Sequence, residues 1–111
     1  MIEKVLLDYL SQNLKVPVYM EEPPEKEKEF VLLEKIGGTK HNKLCSSSFA
    51  IQSYGSTLFK AAVLNEKVVD VFENAVILDD VCSIRLNSNY NFPDLETKRY
   101  RYQAVFDITH Y

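Results

Sequence analysis

Two histidines, a pair of aspartates and a run of serines are the residues of this chain whose types can support catalysis. His41 and His110 have no serine, cysteine or carboxylate at the spacing of a known triad or metal motif. Asp79 and Asp80 are adjacent before a strand, where neighbouring carboxylates point apart and cap or solvate a turn. The serines at 46–48 lack the glycine-flanked elbow that exposes a nucleophile. We therefore expect no enzyme, no metal site and no cofactor.

The basic and tyrosine-rich segment "KRYRY" at 98–102 has a composition that can meet phosphates and stack on bases. Alternation along a strand, however, places its tyrosines and its arginines on opposite faces. The whole chain has 13 basic and 16 acidic residues, a net charge of -3, which matches a polyanion poorly. We expect no specific nucleic-acid binding.

The two cysteines and the first residues bear on the cellular location. Cys45 and Cys82 show neither CxxC spacing nor the pattern of a disulfide framework, so we expect reduced, packed thiols. The opening "MIEKVLLDYL" carries acidic residues within a short apolar pattern, which is typical of neither a secretory signal nor a membrane span. These features favour an intracellular, soluble protein without membrane contact.

The elements that must position these residues follow from apolar spacing. A single domain over residues 1–111 is expected from the length. A 3.6-residue period predicts helices over 2–14 and 57–75, the second capped by Ser56. "VPVYM" predicts a short strand, and 30–36 with 45–54 predicts a hairpin whose first strand is closed by Gly37 and Gly38. Further strands are predicted at 81–88 and from 98 to the end.

This order predicts an α+β fold, an antiparallel β-sheet with two α-helices packed on one face and a long C-terminal strand. In that strand Tyr100, Tyr102, Phe106 and Ile108 share one face and should be buried. At roughly 3.3 Å per residue it spans about 40 Å, longer than its own sheet needs. We expect part of it to serve a neighbouring copy.

The segment "EEPPEKEKE" at 21–29 predicts an exposed acidic loop, since it holds little that can be buried. Its charge is complementary to the arginine face of the last strand, and such complementarity between copies gives a head-to-tail contact that closes into a ring. A merely solvated loop is the alternative. The hypothetical oligomer interface consists of Glu21, Glu22, Glu25, Glu27, Glu29, Arg99, Arg101 and Gln103.

Three phrases together resemble a known group of proteins: "VLLEKIGG", "FAIQSYGSTLFKAAVLNEKV" and "LNSNYNFPDLETKRYRYQAVFDITHY". They are similar to the small tail-completion proteins of long-tailed phages and Gram-positive prophages, the tail terminator and head-to-tail joining group. The resemblance implies a non-enzymatic homo-oligomeric ring, commonly a hexamer, at the head-proximal end of the tail. Its partners would be tail-tube and head-connector proteins, with DNA at most passing through.

What the resemblance implies for location is assembly in the host cytoplasm followed by incorporation in the virion, at the tail or the head-tail junction. The choice between terminator and joining protein stays open, as does the number of subunits. The competing interpretation is a small intracellular binding or regulatory module that recognises a protein by sheet-edge pairing. An enzyme using Asp79, Asp80 or His41 is the third.

Overall fold

A computed structural model gives the fold and describes residues 1–23 and 27–111, so Glu25 of the predicted interface lies outside the described residues. Five strands form one sheet with two helices packed on it, which confirms the predicted α+β class. The elements are α1 (Ile2–Asn13), β1 (Val18–Tyr19), β2 (Phe30–His41), β3 (Leu44–Gly55), α2 (Leu58–Glu73), a 3-10 turn (Asn74–Ile77), β4 (Val81–Asn91) and β5 (Tyr100–His110).

The strand order is β1-β2-β3-β5-β4, and the sheet is mixed where we expected it to be antiparallel. Strand β1 pairs parallel with β2 through Val18 and Val31, while every other described pair is antiparallel. Parallel neighbours need a connection long enough to return the chain to the starting end of the sheet. Ten residues, 20–29, separate β1 from β2, more than a tight antiparallel hairpin uses.

The β2–β3 hairpin is longer than predicted, because Gly37 and Gly38 do not close its first strand. Strand β2 continues through both glycines to His41, with a bulge between Lys35 and Gly37. The chain reverses at Asn42 and Lys43, whose φ angles of 50° and 67° are those of a two-residue type I′ turn. Glycines are tolerated inside an edge strand beside a bulge, and the prediction that this glycine pair ends the strand is therefore wrong.

Helix α2 begins at Leu58, one residue later than predicted, and its N-cap is Thr57. The Thr57 hydroxyl accepts a hydrogen bond from the Lys60 amide at 3.1 Å, while the Ser56 hydroxyl donates to Glu29 at 3.3 Å. The prediction of Ser56 as N-cap is therefore wrong. The inward face of the helix carries Ala61, Val68 and Phe72, all fully buried against β3 and β5.

Strand β5 lies inside the sheet, so the expectation that it has surplus length for a neighbour is wrong. All 11 of its residues pair with β3, and β4 covers its other edge from Tyr102 to His110. Phe106 and Ile108 are buried as predicted. Tyr102 is half-buried and Tyr100 is exposed, so the prediction of burial is wrong for Tyr100. Tyr100 pairs with Gly55, and this end of the strand lies beyond the start of α2.

The main core lies between the helices and one face of the sheet, centred on Phe72 of α2 and Phe106 of β5. Their ring centroids are 4.5 Å apart, and Leu6 and Leu10 of α1 complete the layer. A smaller cluster of Phe30, Leu32 and Tyr54 lies on the opposite face. Among the described residues no helix is both long enough and apolar enough to cross a membrane.

Replacing Phe106 with alanine should lower the free energy of unfolding by about 3–5 kcal/mol, since the ring is fully buried and its loss leaves a cavity. Urea denaturation followed by circular dichroism measures the loss. Phe59→Ala is the matched control: that side chain is 76% exposed and its removal should change stability by less than about 0.5 kcal/mol. Equal effects for the two variants would contradict the described core.

Candidate interaction surfaces

Arg99, a predicted interface residue, lies against an aromatic pair at the end of the sheet where β5 begins. Its guanidinium carbon is 5.7 Å from the ring centroid of Phe30 and 5.9 Å from that of Tyr54. Its Nη1 is 3.7 Å from a carboxylate oxygen of Glu22. A cation over ring faces and beside a carboxylate is stabilised by both. The predicted attraction between the acidic segment and the arginines therefore operates within one chain.

Arg101 holds the connection between β4 and β5 against the sheet. Its Nε donates to the Phe92 carbonyl at 2.8 Å, and its Nη1 donates to the Tyr54 hydroxyl at 3.0 Å. The guanidinium also lies 4.4 Å from the Phe92 ring centroid and 3.9 Å from Asp94. The side chain is only 15% exposed, so its charge interacts mainly with groups of the same molecule.

Gln103 belongs to a chain of hydrogen bonds across three strands on the face opposite the helices. The Tyr54 hydroxyl donates to Gln52, Gln52 donates to Gln103 at 2.9 Å, and Gln103 donates to the Tyr90 hydroxyl. Gln52 and Gln103 are both buried. Burial raises the pKa of Tyr54 above its ordinary 10.0, with Glu22 and Asp94 adding to the effect, although the hydrogen bond from Arg101 opposes it.

The other acidic residues of the predicted interface are distributed along the same end of the molecule. Glu27 accepts a hydrogen bond from the Tyr19 hydroxyl at 3.1 Å, and Glu29 lies 3.6 Å from Lys60. Glu21 is exposed and Glu25 falls outside the described residues. An oligomer interface through this set stays a prediction.

A polar cluster lies at the opposite end of the sheet, around Asp107 of β5. Its carboxylate accepts hydrogen bonds from Ser48 at 2.7 Å, Asn87 at 3.0 Å and Arg85 at 3.2 Å. The hydrogen bonds from Ser48 and Asn87, and then Arg85, hold the pKa of Asp107 below its ordinary 3.8, against the opposing effect of burial. The cluster joins β3, β5 and β4 across the sheet.

Ser47 and His110 form a contact that sequence spacing did not reveal. The Ser47 hydroxyl and the His110 Nε2 are 2.8 Å apart, and the Nδ1 is 3.1 Å from the Tyr111 carbonyl. Because a carbonyl only accepts, Nδ1 carries a proton, and in the neutral imidazole Nε2 then accepts from the serine. Strand pairing of β3 with β5 creates this dyad, and both residues are at most 5% exposed.

Two of the remaining sequence candidates lie close to this dyad: Cys45 is the strand partner of His110, and Asp80 bonds to Tyr111. The Asp80 carbonyl accepts from the Tyr111 amide, as part of the closure of the sheet end. Cys82 is exposed and Cys45 half-buried, so the expectation of two packed thiols is wrong for Cys82, which the bulge at the start of β4 turns outward. Within residues 1–23 and 27–111 no group of three potential metal ligands occurs.

Two strand edges remain open on opposite sides of the sheet. Strand β1 pairs with β2 no further than Leu32, and the rest of β2 to His41 has no strand on its outer edge among the described residues. Strand β4 is the last strand on the other side. Open edges present unpaired amides and carbonyls that can accept another strand.

No protein-family model matches the sequence, and no curated protein matches it. The interpretation of these surfaces therefore depends on their geometry and chemistry.

Ser48→Ala should raise the pKa of Asp107, because it removes the largest of the effects that lower it. The measurement is an NMR titration of the Asp107 carboxyl carbon. Because the folded-state pKa is depressed, Asp107 stabilises the fold above the unfolded-state pKa and loses that effect as the pH falls below about 4. Asp107→Asn should thus lose less stability on acidification than the wild type, and an identical acid profile would contradict this assignment.

Arg101→Ala should destabilise the fold by about 1–3 kcal/mol, since it leaves the Phe92 carbonyl and the Tyr54 hydroxyl without their donor. Arg101→Lys should restore little, because an ammonium cannot make both bonds while stacking on Phe92. Thermal unfolding of the three proteins at low concentration measures the effect. Full stability of the lysine variant would show that charge alone suffices.

Proposed function

We propose that this chain is a structural protein of a phage or prophage virion that forms a ring at the head-proximal end of the tail, as a tail terminator or head-tail joining protein. The resemblance of its sequence phrases to that group supports the assignment. The structural observation that carries it is the pair of open strand edges on opposite sides of one sheet. Each copy can offer one edge to the copy before it and the other to the copy after it.

The directions of the two edge strands suit such a contact. Because β2 and β3, β3 and β5, and β5 and β4 are each antiparallel, β4 runs opposite to β2. A neighbour rotated about an axis roughly along the strands therefore presents its β4 antiparallel to β2, and no copy has to be inverted. A repeated contact of this heterologous kind closes into a ring when the rotation divides a full turn.

The hairpin turn identifies an amide on the open edge. In a two-residue hairpin the residues that flank the turn bond to each other, so the backbone groups of His41 point to Leu44. The next residue back, Lys40, then directs its amide to the outer edge, and Thr39 directs its amide to β3. Proline at these two positions removes different hydrogen bonds.

The proposed ring meets the tail tube on one side and the head connector on the other. The copies associate with themselves and with these proteins, while DNA passes through the centre without specific binding. A hexamer is the subunit number that the resemblance implies. The acidic net charge supports free passage, because carboxylates repel phosphates.

A small intracellular binding module is the second candidate, favoured by the same exposed edge of β2. A strand from a different protein pairs there as well as a second copy does. The two functions differ in what occupies the edge: the chain itself, or a partner that leaves this chain monomeric when it is alone.

Light scattering across a concentration series, with electron microscopy of the highest concentration and of mixtures with isolated phage tail tubes, tests the ring. We expect discrete rings, alone or on the tube. Lys40→Pro should reduce assembly because it removes the amide on the open edge, whereas Lys40→Ala, which removes the side chain and its charge but keeps the amide, should assemble normally. Thr39→Pro should instead lower thermal stability, since it breaks the bond to β3.

Failure to form any oligomer, with or without tubes, would refute the ring. Binding of a foreign strand peptide to the monomer, abolished by Lys40→Pro, would then identify the chain as a binding module. Assembly that is unaffected by Lys40→Pro would place the contact elsewhere than the β2 edge.

A further inference from the structure

An apolar groove lies on the helix side of the molecule, between the end of α1 and the first half of α2. Its apolar lining consists of Leu14, Val16, Phe59, Val63 and Leu64. Phe59 is 76% exposed and Val63 is 49% exposed, although both belong to a helix whose other face forms the core. Exposed apolar side chains that are gathered in one groove mark an interaction site.

The rim of this groove is basic. Lys15, Lys60 and Lys67 line it together with one carboxylate, that of Glu29, which lies 3.6 Å from Lys60. Lys15 and Lys67 are exposed and form no ion pair with any described residue. The groove therefore suits an apolar side chain that is accompanied by negative charge.

A turn of the same chain has that chemistry. Between β4 and β5 the chain makes a tight turn closed by backbone hydrogen bonds between Asp94 and Arg99. Leu95 is 82% exposed at this turn, and the exposed Glu96 follows it without an ion pair to a described residue. Arg101 holds the base of the turn through Phe92 and Asp94, so Leu95 projects from a fixed support.

Groove and turn lie at the same end of the sheet but on different sides of it. The turn joins the end of β4 to the start of β5, and the start of β5 pairs with the end of β3, just before α2 and Phe59. Leu14 and Val16 precede β1, which pairs with the start of β2. In a ring continued from β4 of one copy to β2 of the next, the turn of the first copy reaches the groove side of the second.

We propose that Leu95 and Glu96 of one copy dock in this groove of the next copy, with Leu95 against Phe59 and Val63 and Glu96 beside Lys15 and Lys67. This contact rests on the proposed ring and gives it a second point of attachment beside the strand edges. The occupant of the groove is then a second copy of the same chain, whose apolar and charged groups match those of the groove.

Leu95→Asp should weaken self-association at least about tenfold, because a buried leucine is replaced by a charge. Ile77→Asp is the matched control: Ile77 is 76% exposed after α2, at the far end of that helix from Phe59, and should associate as the wild type does. Analytical ultracentrifugation measures both, and circular dichroism checks the fold. Equal association of Leu95→Asp and the wild type would overturn the proposal.

Charge exchange tests the pairing directly. Lys67→Glu and Glu96→Lys should each weaken association about two- to fivefold, as expected for an exposed ion pair, and the two changes in one chain should restore it. A double variant that is weaker than both single variants would show that these residues do not meet.

A covalent trap separates this contact from the ring itself. In a Cys45→Ser, Cys82→Ser background, Val63→Cys with Leu95→Cys should give a ladder of disulfide-linked multimers under oxidation, since each chain carries both partners. Rings that assemble without this cross-link would overturn the groove contact and leave the ring intact. Absence of assembly by every method, including mixtures with tail tubes, would overturn both.

Discussion

The pairing of β5 along both of its edges is the constraint on which the rest of the molecule depends. β5 is the last strand of the chain, yet it lies between β3 and β4 and carries Phe106 against Phe72 of α2. The sheet is therefore complete only when residues far apart in sequence have met, which is typical of slow folding. Its internal position also leaves β4 on one side, and the short β1 with the rest of β2 on the other, as the described strands with a free edge.

The two faces of the sheet are stabilised by different interactions. One face packs against α1 and α2 and supplies most of the buried apolar surface. On the other face Arg101, Tyr54, Gln52 and Gln103 form a connected polar chain whose members satisfy one another. A buried polar group costs free energy unless it is paired, so such a chain favours one arrangement of the strands. Through Arg101 it also fixes the turn that carries Leu95.

Open strand edges invite uncontrolled pairing, and this sheet limits that risk. Lys35 and Lys40 lie on β2, while β2 and β4 carry bulges that interrupt a flat edge. Lysines and bulges are common protections of an edge strand. In the proposed ring these features keep edge pairing weak on its own, and the contact of Leu95 with the groove adds the specificity that chooses a copy of the same chain in the correct direction.

The sequence by itself determined the order of the elements, the α+β class and the burial of Phe106 and Ile108, because apolar periodicity is a local property of each segment. Only the tertiary structure decided the parallel pairing of β1, the place of β5 between β3 and β4, and the contact of Ser47 with His110. It also paired Arg99 with Glu22 inside one chain, where charge pattern alone had suggested two copies. Strand order and side-chain partners depend on which distant segments come together, and local patterns do not encode that choice.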